Sequence, residues 1–224
     1  GDVPMTKREV RALTMAFAAL RPEDVVLDVG AGTGSLSVEA ALLCPRGRVV
    51  ALERDAEALA LIRENGARFS LVNLETLAGE APAAFAALAP ASFDRVLVGG
   101  GGAGLGAILE ALPALLRPGG RVVCNTACLE TTAAAAARLR RPPWTAFSCS
   151  QISVSRGLPA GPLATPGRHE VIFTVQAGEA MDLLPATLVV PGPGPAAPAA
   201  AGGYRGWIAG AIGGAVHGSW PTDA

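Results

Sequence analysis

The segment Asp28-Val29-Gly30-Ala31-Gly32-Thr33-Gly34 carries the most chemical content of the 224-residue chain. It follows a short apolar run at 25–29 and precedes a helical pattern, so it reads as a glycine turn between a strand and a helix. Glycines allow a tight turn there and let a ligand lie against main-chain N–H groups. A dinucleotide site wants its third glycine one residue later, so that a pyrophosphate rests on the helix N-terminus; this chain has Ser35 at that place. S-adenosylmethionine has no phosphate to hold, and its loop has the form G-x-G-x-G with an acid two residues earlier, here Asp28.

Two more acids stand at matching places. Glu53 ends the second strand pattern, where a carboxylate accepts both hydroxyls of a ribose, a feature common to both cofactors. Gly79-Glu80 follows the third, where an acid meets an adenine amino group. Acids at three successive strand ends make a nucleoside cleft at the carboxyl edge of a parallel sheet. The expected cofactor is S-adenosylmethionine.

The elements that must position these residues follow from periodicity. Val10, Leu13, Phe17 and Leu20 recur at helical spacing, and Thr6 with Glu9 forms a capping-box pattern, predicting an amphipathic helix from about Thr6. Strands are predicted at 25–29, 48–52, 74–77, 95–98 and 121–125, and helices at 35–43, 56–69, 82–88, 105–116 and 129–140. The alternation implies a largely parallel sheet covered on both faces. Residues 151–156 and 170–176 read as an antiparallel pair joined by a Pro/Gly-rich loop. From 177 Pro, Gly and Ala take over, including Pro191-Gly192-Pro193-Gly194-Pro195, so 1–176 is expected to be the domain and 177–224 a linker or disordered extension. The apolar, glycine-broken stretch 204–216 is a candidate docking segment or the start of a second domain.

Composition narrows the class. Eighteen Lys+Arg against nineteen Asp+Glu leave a net charge of -1, without the basic surplus that bulk nucleic-acid binding requires. Cys44, Cys124, Cys128 and Cys149 lie at no zinc-ribbon spacing and only His169 and His217 are present, so no metal site is expected. Cys124 and Cys128 read as small core residues near the cleft. With no long apolar run and no signal pattern, a cytoplasmic protein without membrane contact is expected. The chain starts at Gly1 rather than Met, which fits a segment of a longer precursor or a removed tag.

On these residues the chain resembles the decarboxylating precorrin C15-methyltransferase family of cobalamin biosynthesis. The resemblance is carried by Thr6-Lys7-Arg8-Glu9-Val10-Arg11-Ala12, the glycine loop, Ala51-Leu52-Glu53-Arg54, Gly79-Glu80-Ala81-Pro82, Val98-Gly99-Gly100-Gly101, Arg117-Pro118-Gly119-Gly120-Arg121, Leu129-Glu130 and Val154-Ser155-Arg156. It covers about 3–176. The loop and the Pro-Gly-Gly turn are generic to methyltransferases, whereas the opening helix, the glycine run and the Val-Ser-Arg segment are specific. Glu80 replaces the family's usual Asp, Cys124-Asn125-Thr126-Ala127-Cys128 stands for an Ala-Asn-Ala-Val-type stretch, and 157–168 departs from the family's glycine-rich, aromatic-bearing segment.

The resemblance implies an α/β, Rossmann-like class I methyltransferase fold, with a mostly parallel seven-stranded sheet and a C-terminal antiparallel hairpin. It implies cofactor contacts from Thr6, Asp28, Gly30, Ala31, Gly32, Thr33, Gly34, Glu53, Arg54, Gly79, Glu80 and Ala81. The implied substrate is a precorrin or cobalt-precorrin, an anionic macrocycle whose carboxylates would meet Lys7, Arg8, Arg11 and Arg156, with Gly100, Gly101 and Asn125 lining the site. Asn125 is equally a candidate cap for the following helix. The family methylates C15, in coupled chemistry also C5, with loss of the C12 acetate carboxyl as CO2, and commonly assembles as a homotetramer. No general base is evident. Two other readings stay open: another class I methyltransferase acting on tRNA or damaged aspartyl residues, and a methyltransferase-like module that binds without turnover.

Overall fold

Val25–Val29 and Arg48–Glu53 are short runs of mostly β-branched and aliphatic residues, buried on both faces, as central parallel strands require. The structure, a computed structural model, describes residues 6–99, 102–160 and 163–178. In chain order these hold α1 (Arg8–Ala18), β1 (Val25–Val29), α2 (Ser35–Leu43), β2 (Arg48–Glu53), α3 (Ala56–Arg68), β3 (Leu74–Ala78), β4 (Phe93–Val98), α4 (Leu105–Ala111), β5 (Leu116–Thr126), α5 (Leu129–Leu139), β6 (Ser148–Ala160) and β7 (Leu163–Gly178). The seven-stranded sheet runs β3-β2-β1-β4-β5-β7-β6. Strands β1 to β5 pair in parallel, and β7 joins β5 and β6 antiparallel. The expected α/β architecture with its terminal hairpin is the one observed.

Alternation along the strands sorts the core into two layers. Leu27, Val29, Val50, Leu52, Val96 and Val98 face α4 and α5, packing on Leu105, Ile108, Leu109, Ala135 and Leu139. Val26, Val49, Leu97 and Val123 face the other side, against Met15 and Ala18 of α1 and Leu36, Ala40 and Ala41 of α2. By the same alternation Asp28 is on the α2 side, a carboxylate within an apolar layer.

Local details correct several sequence expectations. Helix α1 is capped at Lys7 with no side-chain cap bond, so the Thr6/Glu9 capping box does not form. Instead the helix start is held by the Thr6 carbonyl, which accepts from Arg11 Nη1 at 2.7 Å. The helix predicted at 82–88 is a 3-10 turn, Ala83–Ala87, and the last turn of the one predicted at 105–116 is another, Leu112–Ala114, where Pro113 cannot donate. Pro118-Gly119-Gly120 turns inside β5: Phe93 pairs with Leu116 and Arg95 with Arg121, so the extra residues loop out as a bulge with Gly119 at φ 80°.

The hairpin is longer than expected. Strand pairing continues from Ser148↔Gln176 to Ala160↔Leu163, through the residues read as a loop, with one irregularity between Ser155 and Gly157 that contains Arg156. Backbone pairing along this ribbon supplies order that composition alone did not announce. The extension expected from 177 lies, beyond 178, outside the described residues, as do Gly100 and Gly101.

Candidate functional site

Strand β1 ends at Val29 and the chain reverses through residues 30–34 into α2, whose cap is Gly34. Gly30, Gly32 and Gly34 adopt φ of 71°, 56° and 77°, left-handed values that disfavour other residues. A Cβ on Gly34 would also lie 2.8 Å from Ile62 Cγ1, so this glycine is what lets α3 pack on the loop.

The loop amides are already used. Gly30 and Ala31 donate to the Leu52 carbonyl at 2.9 and 3.1 Å, Gly34 donates to Ala31, and Gly32 donates to Glu53 Oε2 at 2.9 Å. The expectation that main-chain N–H groups face the ligand is therefore corrected at these four residues.

The three acids differ in setting. Glu53 is half-buried at the end of β2; its Oε1 accepts from the amides of Arg54 and Asp55, so the carboxylate is fixed by main chain on both oxygens. Glu80 is exposed and pairs with Arg54 Nη1 at 2.7 Å, closing the gap between the ends of β2 and β3. Gly79 joins the two by donating to the Glu53 carbonyl at 2.9 Å, and a Cβ there would lie 2.7 Å from the Ala84 Cβ. Ala81 is half-buried against the core layer near Phe85.

Asp28 is fully buried rather than at the strand tip, and accepts from Ser37 Oγ at 2.5 Å through Oδ2. Burial drives its pKa up to about 6, with the Ser37 hydrogen bond opposing and the Glu53 charge reinforcing. Its Oδ1, and the Thr33 Oγ1, are buried with no hydrogen-bond partner among the described residues. Orphaned polar atoms at this depth are costly, and two of them at one glycine loop fit a polar ligand that completes them.

The substrate candidates differ in setting. Arg11 is taken by Glu39 of α2, Nε to Oε1 at 2.5 Å with both side chains nearly buried, so it ties α1 to α2 instead of offering a charge to a carboxylate. Lys7 is half-buried and Arg8 exposed at the start of α1, the latter 3.7 Å from Glu9. Asn125 donates to Thr14 Oγ1 and accepts from Thr174 Oγ1, both at 2.9 Å, joining α1, β5 and β7. It does not cap α5, whose cap is Cys128 without a side-chain bond. Cys124 is a core residue, its thiol pushed up to about 12 by burial, but Cys128 is exposed. Gly99, at the end of β4, donates to the Val29 carbonyl, and a Cβ there would lie 3.3 Å from the Gly30 carbonyl oxygen. The Arg156 backbone lies in β6.

The profile of the precorrin methyltransferase domain matches residues 1–172. The chain belongs to that family. It is 40% identical over 160 residues to the cobalt-precorrin-6B C(15)-methyltransferase (decarboxylating) of Salmonella typhimurium, covering 71% of this chain and 81% of that one. The structure of a precorrin-6Y C5,15-methyltransferase from Geobacter metallireducens superposes with a TM-score of 0.73 at 31% identity, over 80% of this chain and 92% of that one. The precorrin-8W decarboxylase of Methanobacterium thermoautotrophicum gives 0.71 at 31% identity, over 79% and 93%. For this precorrin methyltransferase family member, sequence reasoning missed Ser37 and Glu39. The available signal was two polar residues inside the otherwise apolar helix Ser35–Leu43.

Proposed function

We propose that the protein methylates C15 of a precorrin or cobalt-precorrin, using S-adenosylmethionine, with decarboxylation of the C12 acetate; C5 methylation is the coupled activity of the wider family. The observation that carries this reading is the glycine loop with its two orphaned buried oxygens, in a chain whose relatives are named for that reaction.

When bound, S-adenosylmethionine supplies a methyl group on a cationic sulfur, an electrophile that an electron-rich macrocycle carbon attacks without a general base. The protein's task is then to bind, align and exclude water. Glu53, fixed through both oxygens, is the acceptor for ribose hydroxyls. Glu80 is the acceptor for the adenine amino group, with Arg54 steering its carboxylate. Asp28 Oδ1 takes the ammonium. Lys7, Arg8 and Arg156 are the cations proposed for substrate carboxylates. A homotetramer in the cytoplasm belongs to the same reading and is supported by the family resemblance. Among the described residues no helix is long and apolar enough to cross a membrane.

Incubation with S-adenosylmethionine and precorrin-6-type or cobalt-precorrin-6-type acceptors, followed by mass spectrometry, tests it. A product that has gained methyl and lost CO2, abolished in Glu53→Ala, is expected. Cofactor binding without product from any tetrapyrrole would overturn the assignment in favour of a binding module; methylation of tRNA or protein would move it to another substrate class.

A further inference from the structure

Ser37 is fully buried in α2, a mostly apolar helix whose other polar residues are Ser35 and Glu39. A helical hydroxyl can bond the carbonyl four residues back, as Thr14 does to Val10 at 2.7 Å, but for Ser37, in the first turn of α2, that carbonyl is the one of Thr33, which accepts from Asn65 Nδ2. The Ser37 hydroxyl goes instead to Asp28 Oδ2. Its single proton is committed there, and Asp28 Oδ1 is left as a buried oxygen with no partner among the described residues. The cross-strand neighbours of Asp28 are Ala51 on β2 and Leu97 on β4, both apolar. Glu53 is the charged group acting on Asp28, and it acts against ionisation; Glu39 of α2 is neutralised by Arg11. Ser37 is thus the side chain that favours the carboxylate form.

We propose that Ser37 is a positioning residue of the cofactor site, pinning Asp28 through Oδ2 so that Oδ1 stays an ionised, unclaimed acceptor for the ligand's ammonium group. This rests on the reading that the cleft takes S-adenosylmethionine. Without the hydroxyl only the Ser37 backbone hydrogen bond still opposes burial and Glu53, so Asp28 takes up a proton at a higher pH and its attraction for a cation near neutrality weakens.

The test is calorimetric titration of the purified chain with S-adenosylmethionine from pH 5.5 to 8.5, on the parent, Ser37→Ala and Ser37→Cys, with thermal unfolding to check that each folds. The ratio of parent to variant affinity cancels the ligand's own titration. For Ser37→Ala that ratio is expected to be about fivefold to tenfold near pH 6 and to close by pH 8.5, as a shift of about one pKa unit requires. Ser37→Cys, close in size but a weak donor, should give an intermediate midpoint, and it carries the test if the alanine variant does not fold. A variant profile that coincides with the parent's, or a loss of equal size at every pH, overturns the role of Ser37. Failure of the parent to bind at any pH would instead overturn the cofactor reading itself.

Discussion

Asp24, just before β1, and Asp28, near its far end, are the buried aspartates of the described sheet, and their surroundings differ in kind. At the amino ends of the strands Asp24 faces Arg95 at 3.4 Å, and Arg95 also donates to the carbonyl of Ala18 at 2.9 Å, while Arg121 donates to that of Phe17. Asp94 accepts from the Val25 amide and from Arg117. This edge is a closed polar network in which arginines finish the last turn of α1, a helix that ends at Ala19 with φ 49° and no glycine. At the carboxyl ends Asp28 has, among the described residues, a hydroxyl but no cation, and one of its oxygens has no partner there. Charge compensated within the protein serves stability, whereas charge left uncompensated is what a ligand can complete.

The largest effect should come from opening the closed edge. Arg95→Ala leaves the buried Asp24 carboxylate with the Arg21 amide but no cation and strips a donor from the end of α1, and is expected to cost about 3 kcal/mol, read as a fall in the urea midpoint. Affinity for S-adenosylmethionine, measured where the variant is folded, should stay near the parent's because the carboxyl edge is untouched.

Asp28→Asn should act in the opposite sense. Asp28 is raised from 3.8 to about 6 in the folded chain, so its contribution to stability is fully present below about 3.8 and is lost as the pH rises through about 6. Replacing it with a neutral isostere removes that loss. The ligand-free variant is expected to be more stable by about 1–3 kcal/mol at pH 7 and no more stable at pH 3.5, while its affinity for S-adenosylmethionine falls. Thermal melts at the two pH values check the first part, and a variant less stable at pH 7 would show that Asp28 is compensated after all.

The smallest effect is expected at the rim of the closed network. Arg117 is nearly half exposed, and Asp94 keeps the Val25 amide when the guanidinium is removed, so Arg117→Ala should change stability by less than about 1 kcal/mol. A loss as large as that of Arg95→Ala would mean that the whole amino edge acts as one cooperative unit.

Periodicity and punctuation carried most of the fold. The strands at 25–29 and 48–52 and the helices at 35–43, 56–69 and 129–140 fall within a residue of the observed elements, because each is a local pattern bounded by Gly, Pro or a polar turn. The capping box failed since a four-residue motif is satisfied by many starts, and here the helix begins one residue later, with Lys7, which has no side-chain acceptor, at the cap position. The hairpin was underestimated because pairing between 157–160 and 163–166 depends on a partner strand, not on composition.

For the site, the sequence by itself determined the residue types at the strand ends: glycines at 30, 32 and 34, acids at 28, 53 and 80, and their order along the chain. Spacing against strand and helix boundaries is one-dimensional information and can be read as such. Only the tertiary structure decided which acid is buried, that Glu53 holds the loop, that Arg11 belongs to Glu39, and that Ser37 meets Asp28. Those outcomes depend on which face of β1 lies under α2 and on how far side chains reach across layers. Burial and hydrogen-bond partners are fixed by packing in three dimensions, and they set both the protonation of a carboxylate and the oxygen it leaves for a ligand.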